Sequence, residues 1–209
     1  GVDMARLDPF IHMDQMGEVE YAPGEARGTS WHPHRGFETV TYMLDGHMRH
    51  EDHMGNRGDL GPGDVQWMTA GSGLVHSEMP EQEAGRMRGF QLWVNLRGQD
   101  KSAAPGYQSI TDAQIPAVDL PDGAGRVRVI AGSYGDAKGP ASTFTPMDVL
   151  DLRLNAGATT TLTPPEGWNV LVVALSGEVT VNAEAKLTGP AVARLSREGG
   201  GVVIEATSD

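Results

Sequence analysis

The chain has 209 residues, no cysteine, and 28 acidic against 16 basic side chains, which give a formal net charge of -12. The lack of cysteine excludes a disulfide framework, a thiolate metal site and a cysteine nucleophile. The acidic balance disfavours binding to a phosphate backbone, so we expect no direct contact with nucleic acid. No apolar run approaches the roughly 20 residues that span a bilayer. We therefore expect a cytoplasmic protein that does not contact a membrane.

Short strands dominate the predicted structure. The 28 glycines and 13 prolines are spread along the chain and separate short runs of β-branched and aromatic residues. No segment keeps a helical period for long. This pattern predicts an all-β protein built as a sandwich or barrel. In chain order, the predicted strands cover residues 40–44, 65–69, 90–96, 127–130, 149–154 and 170–175.

Two parts of the chain carry the same faint pattern. An apolar strand is followed by Gly46 in one part and by Gly177 in the other. A Gly-Pro pair at residue 61 recurs at residue 189, and the apolar segment that begins at Gly73 recurs at Gly201. The offset between the two copies is nearly the same for all three features, which favours a duplicated unit. We therefore predict two tandem domains, residues 1–135 and 136–209.

Histidine placement is the most informative feature of the sequence, because all seven histidines precede residue 77. His32 and His34 flank a proline, and His76 is followed two residues later by Glu78. Since side chains at i and i+2 point to one face of a strand, two such pairs on neighbouring strands can converge inside a barrel. Three imidazoles and one carboxylate suit divalent iron, manganese, nickel, copper or zinc, and leave coordination positions open for chemistry.

The alternative is that these histidines occupy ordinary surface or hydrogen-bonded core positions. The repeat argues against it, because the second copy contains no histidine. At the offsets of the repeat, the counterparts of the four side chains are Thr163, Pro165, Ile204 and Ala206. None of these can replace its counterpart at a metal. We therefore predict a metal site in the first domain and no metal ligands in the second.

The residues around the two pairs resemble the two sequence motifs of the cupin superfamily. The strings His-Pro-His-Arg-Gly-Phe-Glu-Thr-Val (32–40), Gln-Trp-Met-Thr-Ala-Gly-Ser-Gly (66–73) and His-Ser-Glu-Met-Pro (76–80) closely resemble the pirin family of cupins. The resemblance is strong over residues 7–97 and looser from residue 107 onward.

This resemblance implies a bicupin of two tandem jelly-roll-like β-barrels with metal in the first, and it leaves open whether the second barrel is complete. Pirin-like proteins hold iron through residues that map onto His32, His34, His76 and Glu78. The implied ion is Fe²⁺, with Mn²⁺, Ni²⁺, Cu²⁺ and Zn²⁺ as alternatives. Glu38 lies where many other cupins place a glutamate ligand, and we expect it beside the ion rather than bound to it.

The resemblance also implies two functions of different classes. In the first, the protein is a quercetin 2,3-dioxygenase-type enzyme that takes a small aromatic substrate such as a flavonol, together with O₂, opens the flavonol ring and releases carbon monoxide. Glu78 would then be the catalytic base that takes the 3-hydroxyl proton. In the second, the protein is a non-enzymatic iron-binding regulator, a redox-sensing transcription coregulator that acts through a protein partner. We favour the enzyme.

Three further histidines, His47, His50 and His53, follow Gly46 in a predicted hairpin. We expect them to be solvated on this hairpin, with a place at the mouth of a pocket or next to the metal ligands as the alternative.

Overall fold

Strands joined by short turns make up nearly all of the structure, a computed structural model that describes residues 6–81 and 84–207. The helical segments described are 3-10 turns at Gly98–Asp100, Asp112–Gln114 and Pro121–Gly123. The all-β prediction is confirmed. Within the described residues, none of the helical segments is long and apolar enough to cross a membrane.

The first half of the chain folds into two antiparallel sheets. Its strands are β1 (Phe10–Tyr21), β2 (Thr29–His34), β3 (Phe37–Asp45), β4 (Met48–Asp52), β5 (Arg57–Leu60), β6 (Val65–Thr69), β7 (Leu74–Pro80), β8 (Gly85–Asn95) and β9 (Gly106–Ile110). The larger sheet has the order β1-β8-β3-β6-β9, and the smaller sheet has the order β2-β7-β4-β5. Side chains of the two sheets meet, since Thr41 on β3 donates a hydrogen bond to Glu78 on β7.

The second half contains smaller sheets. Its strands are β10 (Ala117–Asp119), β11 (Gly125–Ala131), β12 (Ser133–Tyr134), β13 (Ala137–Lys138), β14 (Val149–Leu154), β15 (Thr159–Leu162), β16 (Leu171–Ala174), β17 (Glu178–Val181), β18 (Ala185–Thr188), β19 (Ala191–Arg194) and β20 (Val202–Ala206). They form the sheets β10-β11-β14, β12-β13, β15-β20-β17-β18 and β16-β19. In neither half do the described strands pair into one continuous closed sheet, so the predicted barrels are open.

The two halves repeat one pairing scheme, as the duplicated sequence pattern predicts. The pairs β3–β6, β4–β5, β4–β7 and β2–β7 of the first half reappear in the second half as β16–β19, β17–β18, β17–β20 and β15–β20. A third sheet, β10-β11-β14, is built from the segment that links these units in the sequence. This sheet crosses residue 135, and the domain boundary there stays a prediction.

The register of the repeated pairs corrects the counterparts expected for the first histidine pair. His32 lies opposite His76, and Thr160 lies opposite Ile204. Thr160 rather than Thr163 is therefore the counterpart of His32, and the same shift applies to the other member of the pair. The two copies are offset by 131 residues at Gly46 and Gly177 but by 128 residues at Gly73 and Gly201. The strand that carries His32 follows the smaller offset.

Candidate metal centre

A row of polar side chains crosses three adjacent strands of the smaller sheet. His32 on β2 lies opposite His76 on β7, and His76 lies opposite Asp52 on β4. His34 lies two residues beyond His32, on the same face of β2. The strand order β2-β7-β4 thus brings together side chains that are far apart in the sequence.

Close approach of β2 to β7 depends on a glycine. A Cβ atom added to Gly28, just before β2, would lie 2.2 Å from the carbonyl oxygen of Glu78 and 2.7 Å from the Cα of Met79. Contacts that short with backbone atoms are forbidden by sterics. A residue with a side chain here would push the two strands apart at the point where they carry the predicted ligands.

The three histidines form a compact cluster. One ring nitrogen from each of His32, His34 and His76 lies within 4.8 Å of those of the other two. The ring centroids are 4.4 Å apart between His32 and His76, 4.8 Å between His32 and His34, and 5.0 Å between His34 and His76. Three imidazoles at these separations can bind a single divalent transition metal.

The hydrogen bonds of the cluster leave nitrogen lone pairs available. His32 Nδ1 lies 2.7 Å from the carbonyl oxygen of Ser30, which can only accept, so Nδ1 carries the proton and Nε2 is free to bind a metal. His76 Nε2 is buried and has no hydrogen-bond partner in the part of the chain that the structure describes. A buried nitrogen without a partner is costly unless something binds it. The donor set therefore fits a divalent ion.

The electrostatics of the cluster favour neutral imidazoles at His34 and His76. Burial, with a smaller contribution from the neighbouring His32, lowers the pKa of His34 to about 4. Burial, followed by the charges of His32 and His50, lowers the pKa of His76 to about 3. Both rings therefore keep their lone pairs at neutral pH, which a metal ligand requires.

Glu78 lies on the same face of β7 as His76 but outside the group of three histidines. Its carboxylate accepts hydrogen bonds from Thr41 Oγ1 at 3.2 Å and from Gln91 Nε2 at 3.2 Å, with Gln66 Nε2 at 3.5 Å. It is buried. The polar side chains of the larger sheet thus hold this carboxylate inside the sandwich, next to the cluster.

Aromatic rings line another side of the cluster. His34 packs edge-on against Phe37 and Trp93, each at a centroid distance of 5.2 Å. Phe37 and Trp93 stack on each other at 4.7 Å, and Trp93 Nε1 donates a hydrogen bond to Gln91. This half-buried aromatic wall offers a flat apolar surface beside the histidines.

The expected place of Glu38 is wrong. Glu38 shares its face of β3 with Val40 and Tyr42, which belong to the apolar core, whereas Thr41 on the opposite face reaches Glu78. Thr69 donates a hydrogen bond of 2.8 Å to Glu38 Oε1. Strand parity counted from the histidines does not continue to Glu38, because the chain turns at Gly36, where φ is +79°.

The favoured expectation for His50 is also wrong, because its side chain is fully buried rather than solvated on a hairpin, and the alternative of a place next to the metal ligands agrees with the structure. Its ring stacks on Tyr107 at 4.5 Å and makes hydrogen bonds to His76 and Asp52. Burial alone would raise the pKa of Asp52, but hydrogen bonds from His50 and Asn56 hold it below its usual value. We did not predict Asp52. The signal that could have found it is the i, i+2 spacing of His50 and Asp52 on one strand.

Comparisons with known proteins identify the family and the fold. A family model described as Pirin matches residues 2–94, and one described as the Pirin C-terminal cupin domain matches residues 149–209. A Pseudomonas aeruginosa protein, provisionally named as a quercetin 2,3-dioxygenase, is 44% identical over 208 residues, which cover 97% of this chain and 72% of that protein.

Solved structures share the fold. A crystal structure of quercetin 2,3-dioxygenase from Acinetobacter baumannii matches with a TM-score of 0.92 and 43% identity over 97% of this chain and 72% of that chain. A bacterial pirin from Escherichia coli, solved in complex with nickel(II), matches with a TM-score of 0.75 and 22% identity over 97% of this chain and 80% of that one. The prediction of two cupin domains is confirmed.

Proposed function

This chain belongs to the pirin family, and we propose that it is a metal-dependent oxygenase of the quercetin 2,3-dioxygenase type. The observation that carries the proposal is the convergence of three imidazoles with available ring nitrogens, beside a buried carboxylate and an aromatic wall. We propose that His32, His34, His76 and Glu78 hold one Fe²⁺ ion, with Mn²⁺, Ni²⁺, Cu²⁺ and Zn²⁺ as alternatives.

The ion, when bound, would supply Lewis acidity and a template that brings a flavonol and O₂ together. Glu78 is the proposed base. Its carboxylate takes the proton of the flavonol 3-hydroxyl group, and the electron pair of that O–H bond stays on the substrate oxygen. Thr41 and Gln91 keep the carboxylate oriented through their hydrogen bonds, which meets the positioning requirement of general base catalysis.

The aromatic wall favours a flat phenolic compound as the substrate. Phe37 and Trp93 present a stacked pair of rings next to His34. Offset stacking on such a surface holds a planar ring in a fixed orientation while its apolar faces are removed from water. The relatives named as quercetin 2,3-dioxygenases supply the choice of a flavonol as the substrate class.

The test is oxygen uptake with quercetin after reconstitution of the metal-free protein. Samples loaded separately with Fe²⁺, Mn²⁺, Ni²⁺, Cu²⁺ and Zn²⁺ are analysed for metal content, oxygen consumption and release of carbon monoxide. Nickel is included because the Escherichia coli pirin was solved with it. We expect about one ion per chain and turnover with at least one metal. The proposal is wrong if no sample consumes oxygen with quercetin.

A matched pair of variants separates the role of Glu78 from a general loss of charge. Glu78→Gln removes the base, and we expect oxygen uptake to fall about a hundredfold or more. Glu81→Gln removes a carboxylate that pairs with Arg49 on the surface, and should keep the activity of the unaltered protein. Equal activity of the two variants would exclude Glu78 as the base.

A second candidate, the non-enzymatic iron-binding regulator, is favoured by the outer face of the same strands. Trp31, Val75 and Met79 are 55%, 38% and 43% exposed, and each adjoins a proposed ligand in the sequence. Exposed apolar side chains at these positions suit a protein partner that senses the state of the ion. Metal binding without oxygen uptake, together with loss of partner binding in Trp31→Ser, would select this function.

A further inference from the structure

A hydrogen-bonded chain leads from the histidine cluster to a buried carboxylate. His76 Nδ1 lies 3.1 Å from His50 Nδ1, and His50 Nε2 lies 3.0 Å from Asp52 Oδ2. The side chains of His50 and Asp52 are fully shielded from solvent. Both residues lie on β4, next to β7, so the sheet itself sets their positions relative to His76.

The hydrogen bonds of Asp52 fix the direction of the chain. Its Oδ1 accepts the backbone N–H groups of Met54 and Asn56, at 2.9 and 3.0 Å, and its Oδ2 accepts the side-chain amide of Asn56 at 2.9 Å. A carboxylate surrounded by donors can only accept from His50 Nε2, so that nitrogen carries a proton. In a neutral ring, His50 Nδ1 is then an acceptor.

The proton of His76 follows from that of His50. Because His50 Nδ1 accepts, His76 Nδ1 must donate, and His76 Nε2 keeps its lone pair. This nitrogen is the one that is buried without a hydrogen-bond partner in the described part of the chain. If His50 Nδ1 donated to His76 Nδ1 instead, the proton of His76 would lie on Nε2. That buried N–H would have no acceptor, and Nε2 would have no lone pair for a metal.

The ring of His50 is held in the orientation that the chain needs. Tyr107 stacks on it with an interplanar angle of 19° and a centroid distance of 4.5 Å. The hydroxyl of Tyr107 donates a hydrogen bond of 3.0 Å to Gln66 Oε1, which anchors the stacking partner. Packing from one side and hydrogen bonds at both ring nitrogens leave His50 little freedom to rotate.

The second cupin domain serves as an internal control. In its repeated pairs, Val181 lies opposite Ile204 as Asp52 lies opposite His76, and Val179 lies opposite Ala206 as His50 lies opposite Glu78. Every polar member of the chain thus has an apolar counterpart in the unit that lacks the histidine cluster. The cupin fold therefore forms without these hydrogen-bonded side chains. They occur only in the domain that also carries the predicted metal ligands.

We propose that Asp52 and His50 are positioning residues of the metal centre, which hold the proton of His76 on Nδ1 so that Nε2 is presented to the ion. The inference depends on the metal site proposed above. Hydrogen-bond partners of this kind fix the tautomer of a ligating histidine, and their loss typically costs about 10- to 100-fold in metal affinity.

Asp52→Asn is the sharpest test, because the two backbone donors decide how the new amide is oriented. The amide oxygen replaces Oδ1, which accepts from Met54 and Asn56, and the NH₂ group then faces His50 Nε2. His50 Nε2 then accepts and His50 Nδ1 donates to His76 Nδ1. The proton of His76 moves to Nε2 as a result. We expect the affinity for Zn²⁺, measured by competition with a chelator, to fall about 10- to 100-fold.

The matched control is Asp59→Asn, on the neighbouring strand β5, where the carboxylate is exposed and pairs with Arg49. It makes the same change of charge and should bind Zn²⁺ as the unaltered protein does. If Asp52→Asn also binds Zn²⁺ with unchanged affinity, the inference is wrong. If the unaltered protein binds no Zn²⁺, the metal site proposed above is wrong instead.

A second measurement needs no metal. In ¹⁵N NMR spectra of the metal-free protein, protonated and unprotonated ring nitrogens of histidine are well separated. We expect His76 to be protonated at Nδ1 and unprotonated at Nε2 in the unaltered protein, and the reverse in Asp52→Asn. A proton on His76 Nε2 in the unaltered protein would overturn the inference, whatever the affinity measurements give.

Discussion

Glu38 is a carboxyl group inside the apolar core, where ionisation is unfavourable. Its Oε2 atom has no hydrogen-bond partner within the described residues, and its Oε1 atom accepts one hydrogen bond from Thr69. Burial raises the pKa of Glu38 above the ordinary value of 4.5, and the hydrogen bond from Thr69 offsets this in part. The fold therefore favours the protonated form of Glu38 more than water does.

The raised pKa predicts a pH-dependent effect of Glu38→Gln. The unaltered protein keeps the full stability contribution of Glu38 below pH 4.5, and loses it as the pH rises through the higher pKa of the folded state. Glutamine does not titrate. As the pH rises, we expect the free energy of unfolding of the variant to increase relative to that of the unaltered protein. The expected difference is about 1.4 kcal/mol per unit of pKa elevation, measured by urea unfolding at several pH values.

The control for Glu38 is Glu20→Gln, since Glu20 is exposed on β1. Its effect on the free energy of unfolding should stay small at every pH. Parallel pH profiles for Glu38→Gln and the unaltered protein would show that the folded state does not favour the protonated carboxyl group.

Sequence reasoning at the scale of residues succeeded where strand parity was enough. His32, His34 and His76 converge because the first two share a face of one strand and the third lies on the neighbouring strand. The expectation for Glu38 came from the cupin resemblance and failed because its face of the strand packs into the apolar core. The expectation for His50 failed because its burial depends on Tyr107 from a distant strand. Local spacing carries no information about either event. The assignment of Glu78 as a fourth ligand stays a prediction.

Some strands of the fold could be predicted from the sequence and others could not. The strands predicted at residues 65–69 and 149–154 match β6 and β14 residue for residue, because turn-forming residues border both runs. Apolar runs did not predict strand β2, since Thr29–His34 is largely exposed and polar and contains a proline. Only the spacing of His32 and His34 indicated a strand there, and its pairing with β7 orders it.

Strand β2 therefore provides a prediction about Gly28. Replacement by alanine places a methyl group against the backbone of β7, at 2.2 Å from the carbonyl oxygen of Glu78, so the strands must move apart. We expect Gly28→Ala to lower the free energy of unfolding by about 1–3 kcal/mol, the usual cost of overpacking. We also expect weaker Zn²⁺ binding, because His32 is carried by the displaced strand.

Gly98→Ala is the matched control, because a Cβ atom at Gly98 meets no atom within 4 Å. Its stability and its Zn²⁺ affinity should stay close to those of the unaltered protein. Gly28→Ala with an unchanged unfolding midpoint and unchanged affinity would mean that β2 and β7 can separate without consequence for the site.

At the scale of the whole molecule, a polar cluster around the buried side chains of Tyr42 and Arg128 joins the two halves. Tyr42 on β3 donates a hydrogen bond of 2.5 Å to Asp151 on β14, and it accepts one from Arg128 on β11. Arg128 also bonds the carbonyl oxygen of Gly63 at 3.0 Å and the carboxylate of Asp112 at 2.5 Å. Composition and repeats predicted two units. They did not predict this contact, which depends on residues that are distant in the sequence.

Tyr42 is the centre of this cluster, and its phenol stays protonated. Burial, together with the nearby charge of Asp151, raises the pKa of Tyr42 to about 12. Tyr42→Phe removes the hydroxyl that donates to Asp151 and accepts from Arg128 Nη1. Because both of these side chains are largely buried, we expect the free energy of unfolding to fall by about 1–3 kcal/mol.

Tyr134→Phe provides the comparison, since the hydroxyl of Tyr134 makes no hydrogen bond to the described residues. Urea unfolding should show little change for Tyr134→Phe. For Tyr42→Phe, amide hydrogen exchange should also be faster in β14 than in β7, because the hydroxyl of Tyr42 bonds both Asp151 and Arg153 on β14. Equal stability of the two variants would mean that the hydroxyl of Tyr42 contributes nothing measurable to the contact between the two halves.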